Sequence, residues 1–264
     1  MKSFKQFITE EEIIIPKVHM WAALLSDDDE QVRAALRSPN ASKEHLDWAM
    51  KHGNSWFAFN ALRSRHHTKE HVDLGMKHRN PGVAVAALES PHHTKEHVDL
   101  GINHENIEVV EAALQSPHHT KEHVDLAMKH NSLSVVKIAL NSPHATKEHI
   151  DWAMKHEEPW VVKTALGSPN HTKEHIDLAM KHDNTWVVVQ ALGSPNHTKE
   201  HVDLGINHEN PYVVREAVRS PHATKEQISG VIKKWDANWY NWVAYEAQRI
   251  LDKRNDDDEE SQEP

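Results

Sequence analysis

Apolar residues along this chain follow a pattern that repeats every 26 residues. A serine at the same place in each repeat marks the period: Ser38, Ser64, Ser90, Ser116, Ser142, Ser168, Ser194 and Ser220. When each serine is counted as position 1, apolar residues fall at positions 9, 12 and 13, and again at positions 20, 21, 24 and 25. Both sets have the spacing of one helix face, so each repeat predicts two short amphipathic helices.

Residues that favour helix ends bracket both predicted helices. Position 5 is threonine (serine in the first unit), a good N-cap, and the first helix of the third repeat is expected to run from Lys95 to about His104. The second helix starts at an asparagine followed by proline, as in Asn80-Pro81 and Asn210-Pro211. A Ser-Pro pair then ends it and turns the chain into the next unit.

Isolated helices of about ten residues are marginal in water, so these helices must be held by stacking. A fixed period of this length is typical of a solenoid, in which each unit buries its apolar face against its neighbours. We therefore expect an all-α, right-handed α-solenoid of about nine two-helix repeats over residues 12–251, with degenerate capping repeats at both ends. Residues 1–11 are predicted to be a targeting or flexible peptide, and residues 252–264 an acidic, disordered tail.

The segment Val-Val-Arg-Glu-Ala-Val-Arg-Ser-Pro-His-Ala-Thr-Lys-Glu at 213–226 resembles HEAT-type repeats, and especially the leucine-rich repeat variant family. The resemblance covers residues 12–251. That family pairs an α-helix with a second, short and often 3₁₀ helix. Because the units here are slightly longer than is usual in the family, the resemblance implies a second helix of one or two α-helical turns.

Composition narrows the range of partners. The 264 residues include no cysteine, which excludes disulfides and thiolate metal sites, and no apolar run reaches the roughly 18 to 20 residues of a membrane helix. The formal net charge is −10 with no basic stripe, which argues against nucleic acid as the main partner. We expect a protein partner, no cofactor and no membrane association.

The 25 histidines are the most unusual feature of the composition. Most of them occupy two fixed places in the repeat. Position 8 is histidine at His19, His45, His71, His97, His123, His149, His175 and His201, and position 15 at His52, His78, His104, His130, His156, His182 and His208. The simplest interpretation is structural: each ring packs between units and hydrogen-bonds a helix end or the position-10 aspartate of a neighbour, which gives two parallel ladders.

Two other interpretations of the histidines stay open. A stack lined by histidines could respond to pH, because protonation would crowd like charges along it. Metal binding is the weaker alternative, since rings one repeat apart start near 10 Å from each other while zinc needs nitrogens at about 2.0 to 2.1 Å. His67 precedes the N-cap Thr68 and so lies outside the helix, and no metal site is predicted.

Positions 19 and 22, on the polar face of the second helix, vary far more than the first helix does. This variation over a uniform frame predicts a surface fitted to a non-repetitive partner. The candidate partner-binding residues are Trp56, Phe59, Lys137, Trp160, Lys163, Trp186, Val189, Tyr212 and Arg215. The row Trp160, Trp186 and Tyr212 is the best anchor, because aromatic side chains dominate interface energetics. The alternative is that these rings pack locally over the grooves between units.

No catalytic constellation is visible, because the repeated aspartates lack a nucleophile or a unique partner. The chain is therefore expected not to be an enzyme. The HEAT-like resemblance keeps a DNA glycosylase or a bilin lyase as a weaker alternative, although the glycosylases depend on a basic concave face that this sequence does not offer.

The first ten residues lie outside the repeat and resemble the capsid-targeting peptide of internal head proteins of T-even-like myoviruses. They begin Met-Lys, place Phe4, Phe7 and Ile8 at helical spacing, and end in Ile8-Thr9-Glu10, which fits the prohead-protease cleavage rule of that family. The resemblance implies a virion-associated phage protein with a cleavable peptide, in the virion interior or the host cytoplasm, whose partner is a head component or a host protein. A generic amphipathic N-terminus on a cytoplasmic binding module is the alternative.

Overall fold

The computed structural model describes residues 15–26, 28–236 and 240–260, and in these residues all regular structure is helical. A 3₁₀ turn, Lys17–His19, precedes eighteen α-helices. The chain divides into two compact units, Met1–Ala127 and Met128–Pro264. The predicted cleavage residues Ile8, Thr9 and Glu10 lie outside the described residues, as does Trp239 of the predicted C-terminal cap.

The first unit alternates first helices, with odd numbers, and second helices, with even numbers. They are α1 Met20–Leu24, α2 Asp29–Arg37, α3 Lys43–Lys51, α4 Ser55–Leu62, α5 Lys69–Met76, α6 Pro81–Leu88, α7 Lys95–Ile102, α8 Ile107–Gln115 and α9 Lys121–Ala127. Each first helix from α1 to α7 packs on the second helix of its own repeat, and α2, α4, α6 and α8 pack on one another in order. The core consists of the positions predicted to be apolar, such as Val98, Val109 and Ala113, which are fully buried.

The second unit continues the same alternation. Its helices are α10 Leu133–Leu140, α11 Lys147–Ala153, α12 Pro159–Gly167, α13 Lys173–Ala179, α14 Thr185–Leu192, α15 Lys199–Ile206, α16 Pro211–Arg219, α17 Lys225–Trp235 and α18 Trp242–Glu260. The second helices α10, α12, α14, α16 and α18 contact one another in sequence and form one continuous row.

The predicted all-α helical-repeat fold is therefore confirmed, with first and second helices alternating at the 26-residue period. The second helices α2 to α16 are regular α-helices of eight or nine residues, which is slightly more than the one or two turns expected. Their N-caps supply a physical reason for where they start. The Oδ1 atom of Asn80, for example, accepts a hydrogen bond from the Gly82 N–H at 2.9 Å, which satisfies an amide at the helix start.

A close approach of the two helices explains a small residue at position 12. A Cβ atom placed on Gly101 of α7 would lie 2.9 Å from the Cβ atom of Ala113 on α8. Such a separation is shorter than carbon atoms tolerate, so the two backbones are nearer here than a larger side chain would allow.

The C-terminal helix corrects one predicted boundary. Residues 252–260, expected to belong to a disordered tail, continue α18 to Glu260. Tertiary contacts supply the reason: Arg254 donates hydrogen bonds to the carbonyl oxygens of Ser220 (2.7 Å) and Ala223, and Lys225 Nζ donates to Asn255 Oδ1 at 2.7 Å. Arg254 and Asn255 thus fasten α18 to the turn before α17 and to its first residue.

A third set of histidines, at position 4, joins several repeats to the next one. The ring of His67 is buried, with Nδ1 2.5 Å from the carbonyl oxygen of Ser64 and Nε2 2.6 Å from Oγ of Ser90 in the following repeat. Ser90 Oγ in turn accepts a hydrogen bond from the His92 N–H at 3.0 Å. These partners fit a neutral ring that donates from Nδ1 and accepts from the serine hydroxyl at Nε2.

We call this arrangement the histidine–serine staple. It recurs at His93 with Ser116, His171 with Ser194, and His197 with Ser220, at 2.5 to 2.6 Å. The staple gives the serine that marks the period a role at Ser90, Ser116, Ser194 and Ser220. Sequence analysis placed His67 outside the helix and gave it no role, because the partner of its ring lies 23 residues further along the chain.

One junction in the second unit lacks the staple. Position 4 is Ala145 rather than histidine, and the hydroxyl of the following Ser168 is buried with no hydrogen-bond partner among the described residues. A buried polar group without a partner costs free energy, so this junction is a weak point of the stack.

We expect the substitution Ala145→His to stabilise the protein by roughly 1 kcal/mol. The new ring can accept a hydrogen bond from the Ser168 hydroxyl and donate one to the Ser142 carbonyl oxygen. Urea unfolding followed by circular dichroism measures the change. The reverse substitution at the equivalent place, His171→Ala, should destabilise by about the same amount or more. Ala145→His variants that are less stable than the wild type would contradict the role assigned to the staple.

Candidate partner-binding surface and histidine contacts

The position-8 histidines connect first helices of successive repeats. In α5 the Nδ1 atom of His71 accepts a hydrogen bond from the backbone N–H of the N-cap Thr68 at 2.9 Å, the role that glutamate or glutamine has in a capping box. The other ring nitrogen faces the position-10 aspartate of the preceding repeat. The Nε2-to-Oδ1 distance is 2.6 Å for His97 with Asp73, His123 with Asp99 and His201 with Asp177, and 2.8 Å for His175 with Asp151.

Each of these aspartates also binds the lysine four residues before it, as Asp73 binds Lys69 at 3.0 Å. The hydrogen bonds from His97 and then from Lys69 lower the pKa of Asp73 below its usual value. His71 is fully buried, and burial lowers its pKa although the nearby carboxylate of Asp47 opposes this shift. Its Nε2 atom lies 3.1 Å from Asp47 Oδ1 but without hydrogen-bond geometry.

Both contacts of the position-8 ring suit the neutral form. A proton added to Nδ1 would point at the N–H of Thr68 and abolish the bond that caps the helix. The final repeat shows the same pair of contacts made by an amide: Gln227 Oε1 accepts from the Thr224 N–H at 2.7 Å, and Gln227 Nε2 donates to Asp203. Glutamine can therefore make both contacts of the position-8 histidine, and its side chain does not titrate.

The position-15 histidines lie at or beyond the end of the first helix. They therefore do not form a row on the helix face that carries the position-8 histidines. Each ring instead accepts a hydrogen bond from the backbone N–H of the residue at the start of the second helix, as Asn106 N–H donates to His104 Nδ1 at 2.9 Å. These rings shape the loop within a repeat. His19, also placed in the position-8 row, is exposed in the 3₁₀ turn.

The second helices of the second unit bring together three aromatic rings. Trp186 on α14 and Tyr212 on α16 have ring centroids 5.4 Å apart, and Tyr212 lies 5.5 Å from Trp242 on α18. Trp186 is 50% exposed and Tyr212 41% exposed, so the rings are available at the surface. We call Trp186, Tyr212 and Trp242 the aromatic row.

Arg215 sits against this row. Its guanidinium carbon is 5.6 Å from the centroid of Tyr212 and 5.7 Å from that of Trp242, within the range of cation–π attraction. Its Nε atom is buried and has no acceptor among the described residues.

The remaining predicted residues are distributed over both units. Lys137 is exposed on α10, while Trp160 and Lys163 on α12 and Val189 on α14 are half-buried along the same row of second helices. In the first unit, Trp56 packs edge-on against Phe57 at 5.8 Å, and the guanidinium of Arg63 lies 4.5 Å above the ring of Phe59.

Trp242 was missed as a member of the surface. Counting one period on from Tyr212 leads to Asn238, because α17 is three residues longer than α15 and so moves the next second helix out of the 26-residue period. The aromatic residues of this part of the chain, among them Trp235, Tyr240 and Tyr245, were the available signal, but only a degenerate capping repeat was predicted there.

Comparisons with known proteins leave the chain without an assigned family. No family model matches it, and neither does any curated protein. Among solved structures it is similar to the designed armadillo repeat protein YIII(Dq)4CqI, with 15% identity, 90% of this chain and 99% of that chain covered, and a TM-score of 0.20. At that TM-score the likeness adds nothing to the fold, which rests on the helices themselves. The resemblance to the leucine-rich repeat variant family stays a prediction.

In the described part of the chain, no three His, Asp or Glu side chains lie together as a metal site requires. No helix within those same residues combines the length and the apolar character needed to cross a membrane.

We expect the free energy of unfolding to be constant above about pH 7.5 and to fall as the pH is lowered from about 6.5 to 5. Burial lowers the pKa values of His45, His67, His71 and His78, so in this range the unfolded chain binds protons that the folded chain does not. Further loss is expected below about pH 4 as the paired aspartates are protonated. Urea unfolding measured from pH 8 to 5 tests the profile.

The matched control is His71→Gln, which copies the natural arrangement at Gln227. It should keep the stability of the wild type at pH 7.5 and lose less on acidification. A wild-type profile that is flat between pH 8 and 5 would contradict the burial of neutral rings.

Proposed function

We propose that this protein is a non-enzymatic scaffold that binds one protein partner through the aromatic row on α14, α16 and α18. The contiguous contact of Trp186, Tyr212 and Trp242, with Arg215 against two of the rings, carries the proposal. Tryptophan, tyrosine and arginine are the residues that contribute most to the energy of protein interfaces. Exposed aromatic rings in contact also bury a large apolar area for little loss of side-chain entropy.

The charges beside the row indicate what the partner presents. Lys137 on α10, Lys163 on α12 and Arg215 on α16 follow the same line of second helices, in a chain whose net charge is −10. A segment with apolar and acidic side chains would cover the rings and pair with these cations. These positive charges would favour such an acidic segment over a basic one.

The repeated aspartates support a scaffold rather than an enzyme. Asp73, for example, is bound by both Lys69 and His97, so its carboxylate is already occupied in a structural contact. The same contacts recur from repeat to repeat, whereas a catalytic group needs a unique environment.

The test compares baits that differ only in the row. The double variant Trp186→Ala, Tyr212→Ala should bind the partner with an affinity at least about thirtyfold lower, since interface hot spots contribute about 2 kcal/mol or more. Lysate of the native source is passed over wild-type and variant chains, the enriched protein is identified by mass spectrometry, and its affinity is measured by calorimetry. Trp152→Ala, which removes an exposed tryptophan from a first helix, is the control. Equal affinity of wild type and double variant would refute the site.

The N-terminal peptide supports a finer proposal about where the scaffold acts. We propose that residues 1–10 direct the chain into an assembling phage head and are removed after Glu10, on the strength of their Ile8-Thr9-Glu10 ending. N-terminal sequencing of the protein from purified particles should then start at residue 11. An intact Met1 in those particles would rule out the cleavage, and absence of the chain from the particles would leave the alternative of a cytoplasmic binding protein.

A further inference from the structure

A second apolar surface lies on the first helices, away from the aromatic row. Position 11 of each first helix carries a large apolar side chain that the core does not use. In the first unit Leu74 is 39% exposed, Leu100 54% and Leu126 45%. Trp152, Leu178 and Leu204 are exposed at the same position of the second unit. We call Leu74, Leu100 and Leu126 the leucine row.

Stacking does not require leucine at this position. Position 11 is next to the aspartate of the histidine–aspartate contact and points to solvent, whereas the neighbouring Val72 and Val98 at position 9 are fully buried. A single exposed leucine is ordinary, but the same exposed residue in successive repeats gives a line of apolar surface. Apolar lines of this kind are commonly covered by another protein surface.

Charged rows flank the leucines on both sides. Four residues before each leucine, on the same face of the helix, is an exposed glutamate: Glu70, Glu96 and Glu122. Three residues after Leu74 and Leu126, in the turn that follows the helix, is an exposed lysine, Lys77 or Lys129, whereas Asn103 has this place after Leu100. The leucine row therefore lies between a glutamate row and a lysine row.

The geometry points to a second copy of this chain as the occupant of the leucine row. A surface that repeats at the spacing of the helix stack is matched by a surface with the same spacing, and another copy supplies one. A two-fold axis along the row places leucine against leucine, and it sets the glutamate row of each copy opposite the lysine row of the other. The opposite arrangement, with the two stacks antiparallel, sets glutamates against glutamates.

This pairing is expected to be weak. A stable interface buries about 800 Å² on each partner, and three half-exposed leucines supply only part of that area. The association should therefore depend on concentration in the range of about 1 µM to 1 mM.

Sedimentation of the full chain over this concentration range tests the association. The double variant Leu100→Ser, Leu126→Ser should raise the dissociation constant of the dimer at least tenfold. The matched control is Ile107→Ser, which removes a residue of similar exposure (43%) from a second helix and should leave the constant unchanged. Circular dichroism confirms that each variant is folded. A wild-type chain that stays monomeric to about 1 mM, or a control that weakens the dimer as much, overturns the proposal.

Cross-linking tests the arrangement itself, because the chain has no cysteine and an introduced one is unique. A disulfide needs Cα atoms within about 7 Å. In the two-fold arrangement Leu74→Cys and Leu126→Cys should each form a covalent dimer with its own kind under mild oxidation. Covalent dimers that form only when the two variants are mixed would show antiparallel stacks and overturn this geometry. The double variant Trp186→Ala, Tyr212→Ala should associate like the wild type.

Discussion

Isolated helices of eight residues are unstable in water, so each helix pair of this protein depends on packing against the pair next to it. Two neutral histidine rings supply much of the specificity of that contact. One, typified by His67, joins the turn of its own repeat to the serine of the next, and the other, typified by His97, joins a helix start to the aspartate of the preceding repeat. Each ring donates with one nitrogen and accepts with the other, so a single side chain satisfies two partners.

Because stacking uses the same residues in every repeat, positions that take no part in it are free to differ or to carry a surface of their own. The aromatic row with Arg215 belongs to the second helices, and the leucine row belongs to the first helices. The two surfaces therefore suit two different contacts, one with a partner and one between copies. The dependence of the stack on neutral histidines also makes both surfaces sensitive to acid, since they exist only while the helices remain stacked.

Much of the fold followed from local patterns. Apolar spacing and N-cap residues predicted the start of α7 at Lys95, where the structure has it, and the end within two residues. Variation at positions 19 and 22 singled out Trp186, Tyr212 and Arg215, which lie together in the structure. Trp242 escaped this reasoning because the longer helix α17 breaks the period. The continuation of α18 beyond residue 251 escaped it because Arg254 contacts Ser220 and Ala223, more than thirty residues earlier, and no local pattern shows such contacts.

By itself, the amino-acid sequence determined the helices, their order and which of their faces are apolar, because helix propensity, capping and spacing act between residues a few positions apart. Tertiary structure decided which ring nitrogen meets which partner, that Ser90 completes the bonding of His67, and that three aromatic rings from α14, α16 and α18 touch. These outcomes depend on distances between different repeats, and such distances are set only when the apolar faces have packed.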